Sequence, residues 1–146
     1  MHNKEDVEKK LEIIAREIME TETDGMNALL APEPCGCDTE KMTADIRFTA
    51  QNWEKNHRGE IHGGAIASMF DTSMGMTVLA YSQYDQVSTA DINVSFIRPF
   101  LGKSYIFTSE IVHPGRSLVR VRSKAVDEET GKCLASASAN FVHLQR

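Results

Sequence analysis

The segment EIHGGAIASMFDTSMGMTVLA, residues 60–80, is dominated by apolar and small residues. It is entered through the pair Gly63-Gly64, and beyond its first residue it carries one carboxylate, Asp71. Its periodicity predicts a helix over roughly residues 63–81. Because almost every face of this helix is apolar, we expect it in the core, where a lone acid requires an explanation.

On both sides of this segment, apolar and polar residues alternate with the period of two that is typical of half-buried strands. One strand precedes the helix, over Met42–Thr49, and four follow it. Their predicted inward-facing residues are Ala90, Ile92, Val94 and Phe96, then Tyr105, Phe107 and Ile111, then Val119 and Val121, and finally Cys133, Ala135, Ala137, Ala139 and Phe141. An amphipathic helix over residues 4–20, with Asn3 as a candidate N-cap, comes before them all.

This order of elements predicts an α+β fold. The later strands have short connections, so the sheet is expected to be mostly antiparallel. We predict a sheet wrapped around one long central helix, with an extra N-terminal helix. The chain has 146 residues, enough for one domain with a sizeable core.

Composition limits the classes of function. The net charge is −5, which argues against a nucleic-acid partner or an anionic membrane surface. No run of about 18 apolar residues predicts a membrane helix, and the first residues, MHNKEDVEKKLEII, lack the apolar core of a signal peptide. The three cysteines form no disulfide framework. Together these features predict a cytoplasmic protein.

The surroundings of Asp71 favour a functional role. The stretch from Gly59 to Ile97 contains no lysine or arginine, and the helical neighbours of Asp71 are small or apolar. A buried, unpaired carboxylate costs several kcal/mol or takes up a proton. The alternative is a structural acid that caps a loop or binds backbone N–H groups.

The Gly63-Gly64 pair also has two interpretations. It is either a turn that needs permissive backbone angles or a helix start whose N–H groups face a polarised oxygen. The sequence has no glycine-rich phosphate-binding loop. Gly63 and Asp71 are eight residues apart, about 12 Å along a helix. If both serve one small reacting group, they come from different subunits, which predicts a homodimer with two shared sites.

These residues resemble a known family, the hotdog-fold thioesterases, and most closely its PaaI-like and THEM-type acyl-CoA thioesterases. The resemblance rests on Asn56, on His62-Gly63-Gly64 and on Asp71. The segments STADINVSFIRP (88–99) and GRSLVRVRSKAVDEETGKCLASASANF (115–141) also resemble strands of this family. The similarity covers about residues 40–146. It implies a hotdog domain there, with residues 1–39 as an N-terminal helix and linker.

The resemblance implies a role for each matching residue. The Gly63 N–H polarises the thioester carbonyl, and Asn56 lies beside that carbonyl or the attacking water. Asp71 of the partner subunit is the general base or the nucleophile. His62 orders the loop, and Thr89, two residues before Asp91, assists the water. Regular alternation would place Thr89 on the polar side of its strand, where it would equally suit plain solvent.

A CoA substrate would also need phosphate-binding groups. The candidates are Arg98 and Arg116, which flank loops. Gly64, at the helix start, is a further candidate for substrate binding. The alternating Arg120, Arg122 and Lys124 are equally consistent with a solvated strand face. No metal or other cofactor is expected, because the histidines show no ligand spacing and the Cys35-Gly36-Cys37 pair has no matching second pair.

Two other functions share the scaffold. One is a non-catalytic acyl-CoA sensor, and the other is a hydratase or dehydratase. The acyl group stays open between a phenylacetyl-type group and a medium aliphatic chain, as does the choice between CoA and a carrier protein. A dimer and a tetramer both fit. The apolar residues Met69, Phe70, Met74, Met76 and Trp53 are candidates for an acyl pocket or for the core.

Overall fold

A computed structural model describes residues 2–144 of the chain. In this range the elements are α1 (Lys4–Thr21), α2 (Met26–Leu30), β1 (Glu33–Asp38), β2 (Thr43–Thr49), a 3-10 turn (Asn52–Glu54), α3 (Gly63–Ala80), β3 (Val87–Phe96), β4 (Ser104–Pro114), β5 (Leu118–Asp127) and β6 (Cys133–His143). The six strands form one antiparallel sheet in the order β1-β2-β4-β5-β6-β3. The predicted α+β class is confirmed.

The long helix α3 lies against the sheet as predicted. Met69, Phe70 and Met74 are completely buried, and the Phe70 ring meets Phe107 of β4 edge-on at 4.7 Å. These methionines therefore belong to the core, which was the alternative to an acyl pocket. Trp53 does not join them, because 52% of its surface is exposed.

The N-terminal helix α1 is also confirmed. The Asn3 side chain accepts hydrogen bonds from the backbone N–H groups of Glu5 and Asp6, and so caps the helix. Its apolar stripe buries Val7, Leu11 and Ile18 in the same core as α3.

The sequence prediction missed one strand and one short helix. The predicted linker contains α2 and then β1, which pairs with β2 despite Pro34 and Gly36. Pro34 is tolerated because β1 is an edge strand, where one row of N–H groups needs no partner. Cys35 lies where the register shifts, so β1 lacks the regular alternation that would have identified it. The division at residue 39 stays a prediction.

Strand β3 differs from its prediction. Its residues pair with β6, and its other edge has no strand partner within residues 2–144. In the single chain it is mostly exposed rather than half-buried, and Ile92, Phe96 and the following Ile97 expose 37%, 55% and 54% of their surface. A bulge between Thr89 and Asp91 also interrupts the regular alternation.

Two general features of the described residues bear on function. No helix within residues 2–144 is long and apolar enough to cross a membrane. Cys35, Cys37 and Cys133 are free thiols.

Candidate active site

The start of α3 presents an available hydrogen-bond donor. His62 is the N-cap, and its Nδ1 accepts the backbone N–H of Gly64 at 2.9 Å. The N–H of the preceding residue, Gly63, has no hydrogen-bond partner among residues 2–144, and Gly63 is exposed. A helix start carries partial positive charge, so this N–H is suited to bind a polarised or anionic oxygen.

The loop before α3 is held by its own side chains. Asn56 Oδ1 accepts backbone N–H groups from Arg58 at 2.9 Å and from Glu60 at 3.2 Å. The His62 N–H donates to the Glu54 carbonyl oxygen at 2.7 Å, which ties the end of the loop to the 3-10 turn. Asn56 thus shapes the loop that leads to Gly63. Its predicted place beside the substrate carbonyl stays a prediction.

Asp71 is neither fully buried nor unpaired. The Thr89 hydroxyl donates to Asp71 Oδ1 across 2.6 Å, and Asp71 is partly exposed. The expectation of a buried, unpartnered acid is therefore wrong, because the sequence pattern could not place a residue of β3 beside α3. No ion pair involves Asp71 within residues 2–144, in agreement with the lack of cations in its sequence neighbourhood.

The bulge in β3 is what brings Thr89 to Asp71. Thr89 pairs with the buried Phe141, whereas Asp91 pairs with Asn140 and bonds to its side chain on the outer face. The extra residue, Ala90, lets Thr89 face α3 while Asp91 faces away. Regular alternation would have put Thr89 and Asp91 on the same face.

Gly63 and Asp71 form two separate half-sites in one chain. They lie at opposite ends of a continuous helical segment about 12 Å long. Phe96, at one end of β3, lies beside Gly63: a Cβ placed on Gly63 would lie 3.5 Å from the Phe96 ring. Thr89, towards the other end of β3, contacts Asp71.

Asp71 opens into a cleft of about 720 Å³. Its walls come from α1, α3 and the start of β3, and both Asp71 and Thr89 line it. The sequence prediction did not assign α1 to the site.

The two arginines proposed to bind CoA are not brought together. Arg98 donates through Nη1 to the Cys133 carbonyl oxygen at 2.6 Å, at the start of β6. Arg116 lies near the other end of β6, where the neighbouring Ser117 accepts the His143 N–H. An 11-residue strand separates these ends, roughly 35 Å at the usual rise. Within one chain, they do not form one phosphate site.

The basic row on β5 is exposed to solvent. Arg122 pairs with Glu110 at 2.6 Å, and 68% of the Arg122 side chain is exposed. The structure thus favours the solvated-face interpretation of this row. Among the described residues, no cluster of three histidine, cysteine or acidic side chains is arranged to hold a metal ion.

One buried acid was missed by the sequence analysis. Glu54 is 1% exposed, and its Oε1 accepts the Gln51 N–H at 2.8 Å. Its other oxygen, Oε2, has no partner among residues 2–144. Burial, opposed by the Gln51 hydrogen bond and by Lys55, raises the pKa of the Glu54 carboxyl. The polar segment around it carried no signal of burial.

Comparison with known proteins gives a family match. The thioesterase superfamily sequence model matches residues 58–134. The provisionally named esterase Ta0293 of Thermoplasma acidophilum is 30% identical over 83 residues, which are 57% of this chain but only 63% of that protein. Acyl-coenzyme A thioesterase 13 of Mus musculus is 24% identical over 97 residues, covering 66% of this chain and 68% of the relative.

The fold has solved counterparts. The PaaI protein of the E. coli phenylacetic acid degradation operon superposes with a TM-score of 0.78 at 18% identity, over 95% of this chain and 96% of that one. This likeness confirms the hotdog architecture, with the sheet wrapped around α3.

Proposed function

This chain belongs to the thioesterase superfamily, and we propose that it hydrolyses an acyl-CoA thioester to the free acid and CoA. The observation that carries the proposal is the Asp71–Thr89 hydrogen bond of 2.6 Å beside a cleft, both residues lying in a segment of the sequence without lysine or arginine. The substrate class is supported by the relatives that are named acyl-CoA thioesterases.

Asp71 acts as the general base. Thr89 donates to Oδ1 and so fixes the carboxylate, while Oδ2 has no hydrogen-bond partner among residues 2–144 and is available to a water molecule. The water proton passes to Asp71 as the water oxygen bonds to the thioester carbon. Negative charge then develops on the carbonyl oxygen. When the C–S bond breaks, the proton moves to the CoA thiolate.

Gly63 stabilises the charge on the carbonyl oxygen. Its unpartnered N–H at the positive end of α3 is already oriented, so it costs no reorganisation during the reaction. One such donor contributes roughly 10²–10³-fold in kcat. Asn56 and His62 position this donor through the loop hydrogen bonds described above.

Two copies of the chain complete each site. The free edge of β3 is ten residues long and carries exposed apolar side chains, and such an edge readily pairs with another strand. Antiparallel pairing about a two-fold axis at Asn93 would set Ala90, the neighbour of Thr89, opposite Phe96 of the other copy. The Asp71 half-site would then meet the Gly63 half-site of the second copy. This arrangement removes the 12 Å separation that prevents either chain from acting alone.

The decisive test is hydrolysis of a panel of acyl-CoA thioesters, measured as the release of the CoA thiol. We expect the wild-type chain to turn over several of them and Asp71→Asn to lose roughly 10²–10⁴-fold in kcat. Asp91→Asn is the matched control, because Asp91 lies two residues from Thr89 on the outer face of β3. Wild-type binding of acyl-CoA without turnover would instead support the sensor alternative, and full activity of Asp71→Asn would refute the base assignment.

A further inference from the structure

One face of α3 runs along the whole cleft beside Asp71. The cleft is lined from this helix by Asp71, Thr72, Gly75, Met76 and Leu79, which share a stripe at helical spacing. From Asp71 to Leu79 this stripe is about 12 Å long. The cleft is therefore continuous with the proposed base and extends along α3 away from Gly63.

The opposite wall of the cleft is provided by α1 and the start of β3. Its apolar residues are mostly branched aliphatic: Ile13, Ile14 and Ile18 from α1, and Val87 from β3. Ile13 is 41% exposed, and Ile14, Leu79 and Val87 are only partly buried. These side chains present apolar surface to the cleft, and no other part of residues 2–144 covers that surface.

Gly75 lowers the stability of α3, and the packing of the fold does not account for it. It lies inside α3, where glycine lowers helix stability relative to alanine. Packing does not require glycine, because an added Cβ would meet only the Phe141 ring, at an ordinary contact distance of 3.5 Å. Gly75 is one helical turn after Asp71, so its missing side chain opens the cleft next to the carboxylate.

The charges around the cleft select against an anionic occupant. Glu17, Glu22 and Asp85 line it. The one cation among its lining residues is Lys10, whose ammonium group donates a hydrogen bond to the Ser82 carbonyl oxygen. The phosphates of CoA would be repelled here. Of the two ends of a thioester substrate, the uncharged acyl end is therefore the one that these charges do not repel, and it can contact the apolar side chains of the lining.

We propose that the cleft between α1 and α3 is the acyl-binding pocket, that it takes an aliphatic acyl chain of roughly eight to ten carbons, and that Gly75 keeps its entrance open. The proposal rests on the proposed thioesterase function. The length follows from the 12 Å stripe, because C–C bonds of about 1.5 Å advance an extended zigzag chain by about 1.25 Å each. The N-terminal helix α1 is then a wall of the substrate site.

The test measures kcat/KM for decanoyl-CoA and for acetyl-CoA in the full chain and its variants. The quantity compared is the ratio of the decanoyl-CoA value to the acetyl-CoA value. Gly75→Ala is expected to raise the melting temperature by roughly 3 °C and to lower this ratio. Ile14→Trp, which fills the cleft from α1, is expected to lower the ratio at least tenfold. Met19→Trp is the matched control, since Met19 lies on the exposed side of α1 and does not line the cleft.

The outcomes separate this proposal from the proposed function. If no acyl-CoA is hydrolysed by the wild type, the thioesterase function itself fails. If acyl-CoAs are hydrolysed but Gly75→Ala and Ile14→Trp leave the ratio at its wild-type value, the acyl pocket lies elsewhere. The same conclusion follows if the Met19→Trp control lowers the ratio as much as Ile14→Trp does.

Discussion

Replacing Thr89 by valine isolates the hydrogen bond that fixes the proposed base. Valine keeps the branched shape of threonine but removes the hydroxyl that donates to Asp71 Oδ1 at 2.6 Å. Serine at the same position retains the donor. Thr89→Val should therefore impair catalysis, and Thr89→Ser should largely preserve it.

The magnitude follows from the type of bond. A hydrogen bond to a charged group contributes about 1.5–3 kcal/mol, which corresponds to a rate factor of roughly 10–150. We take the lower end of this range as the smallest effect expected, since Thr89 is exposed in the single chain and becomes covered only when two copies pair. We expect kcat for decanoyl-CoA to fall about tenfold with little change in KM, because Thr89 orients the base and does not hold the substrate.

The chain offers a close control for this substitution. The Thr108 hydroxyl donates to Asp45 Oδ1, also at 2.6 Å, between neighbouring strands β4 and β2. Thr108→Val removes the same kind of bond at a position outside the proposed site. It should lower the free energy of unfolding by a similar amount while leaving kcat unchanged.

The assay is steady-state release of CoA thiol together with urea unfolding of each variant. Equal kcat values for Thr89→Val and the wild type would show that Thr89 does not orient the base. An equal loss of kcat in Thr108→Val would attribute the effect to stability. Only a loss confined to Thr89→Val, with recovery in Thr89→Ser, agrees with the proposed role.

Two further predictions concern the dimer and the buried acid. Asn93→Lys should yield a monomer by sedimentation and abolish turnover, because the two-fold axis would bring the two new lysines together; an active monomer would contradict the shared site. The second concerns Glu54, whose carboxyl has a raised pKa in the folded chain. Between the unfolded pKa of about 4.3 and the folded pKa, the folded chain keeps a proton that the unfolded chain has released. The free energy of unfolding therefore falls as pH rises through this window. Glu54→Gln should remove this decline in urea unfolding measured from pH 4 to 8, and an unchanged pH slope would refute the assignment.

Long, strongly patterned elements could be predicted from the sequence. The apolar segment of α3, the N-cap Asn3 of α1 and the alternation in β4 to β6 each carry a local signal strong enough to identify the element. The strand β1 carries no such signal. Its residues include Pro34 and Gly36, and it is recognisable as a strand only because β2 lies beside it.

The two half-sites differed in how far they could be predicted. The Gly63 half-site is local, since His62 and Gly64 are its neighbours in sequence and form its cap. The Asp71 half-site depends on a residue 18 positions away, and its partner Thr89 faces Asp71 only because β3 bulges after it. A bulge of one residue is invisible in a pattern of alternating polarity.

The bulge also explains how one strand can serve both the pairing edge and the catalytic pair. On the C-terminal side of the bulge, Ile92 and Phe96 share the inward face of β3, as their partners Ala139 and Ala135 on β6 do. Without the bulge, keeping these apolar residues inward would turn the Thr89 hydroxyl to the outer face, away from Asp71. The extra residue, Ala90, shifts the alternation of side chains by one position, so that Thr89 on one side of the bulge and the apolar residues on the other all face α3. The tolerance of the site to substitution should therefore be lowest around this bulge, where the register of β3 and the orientation of the base depend on the same residue.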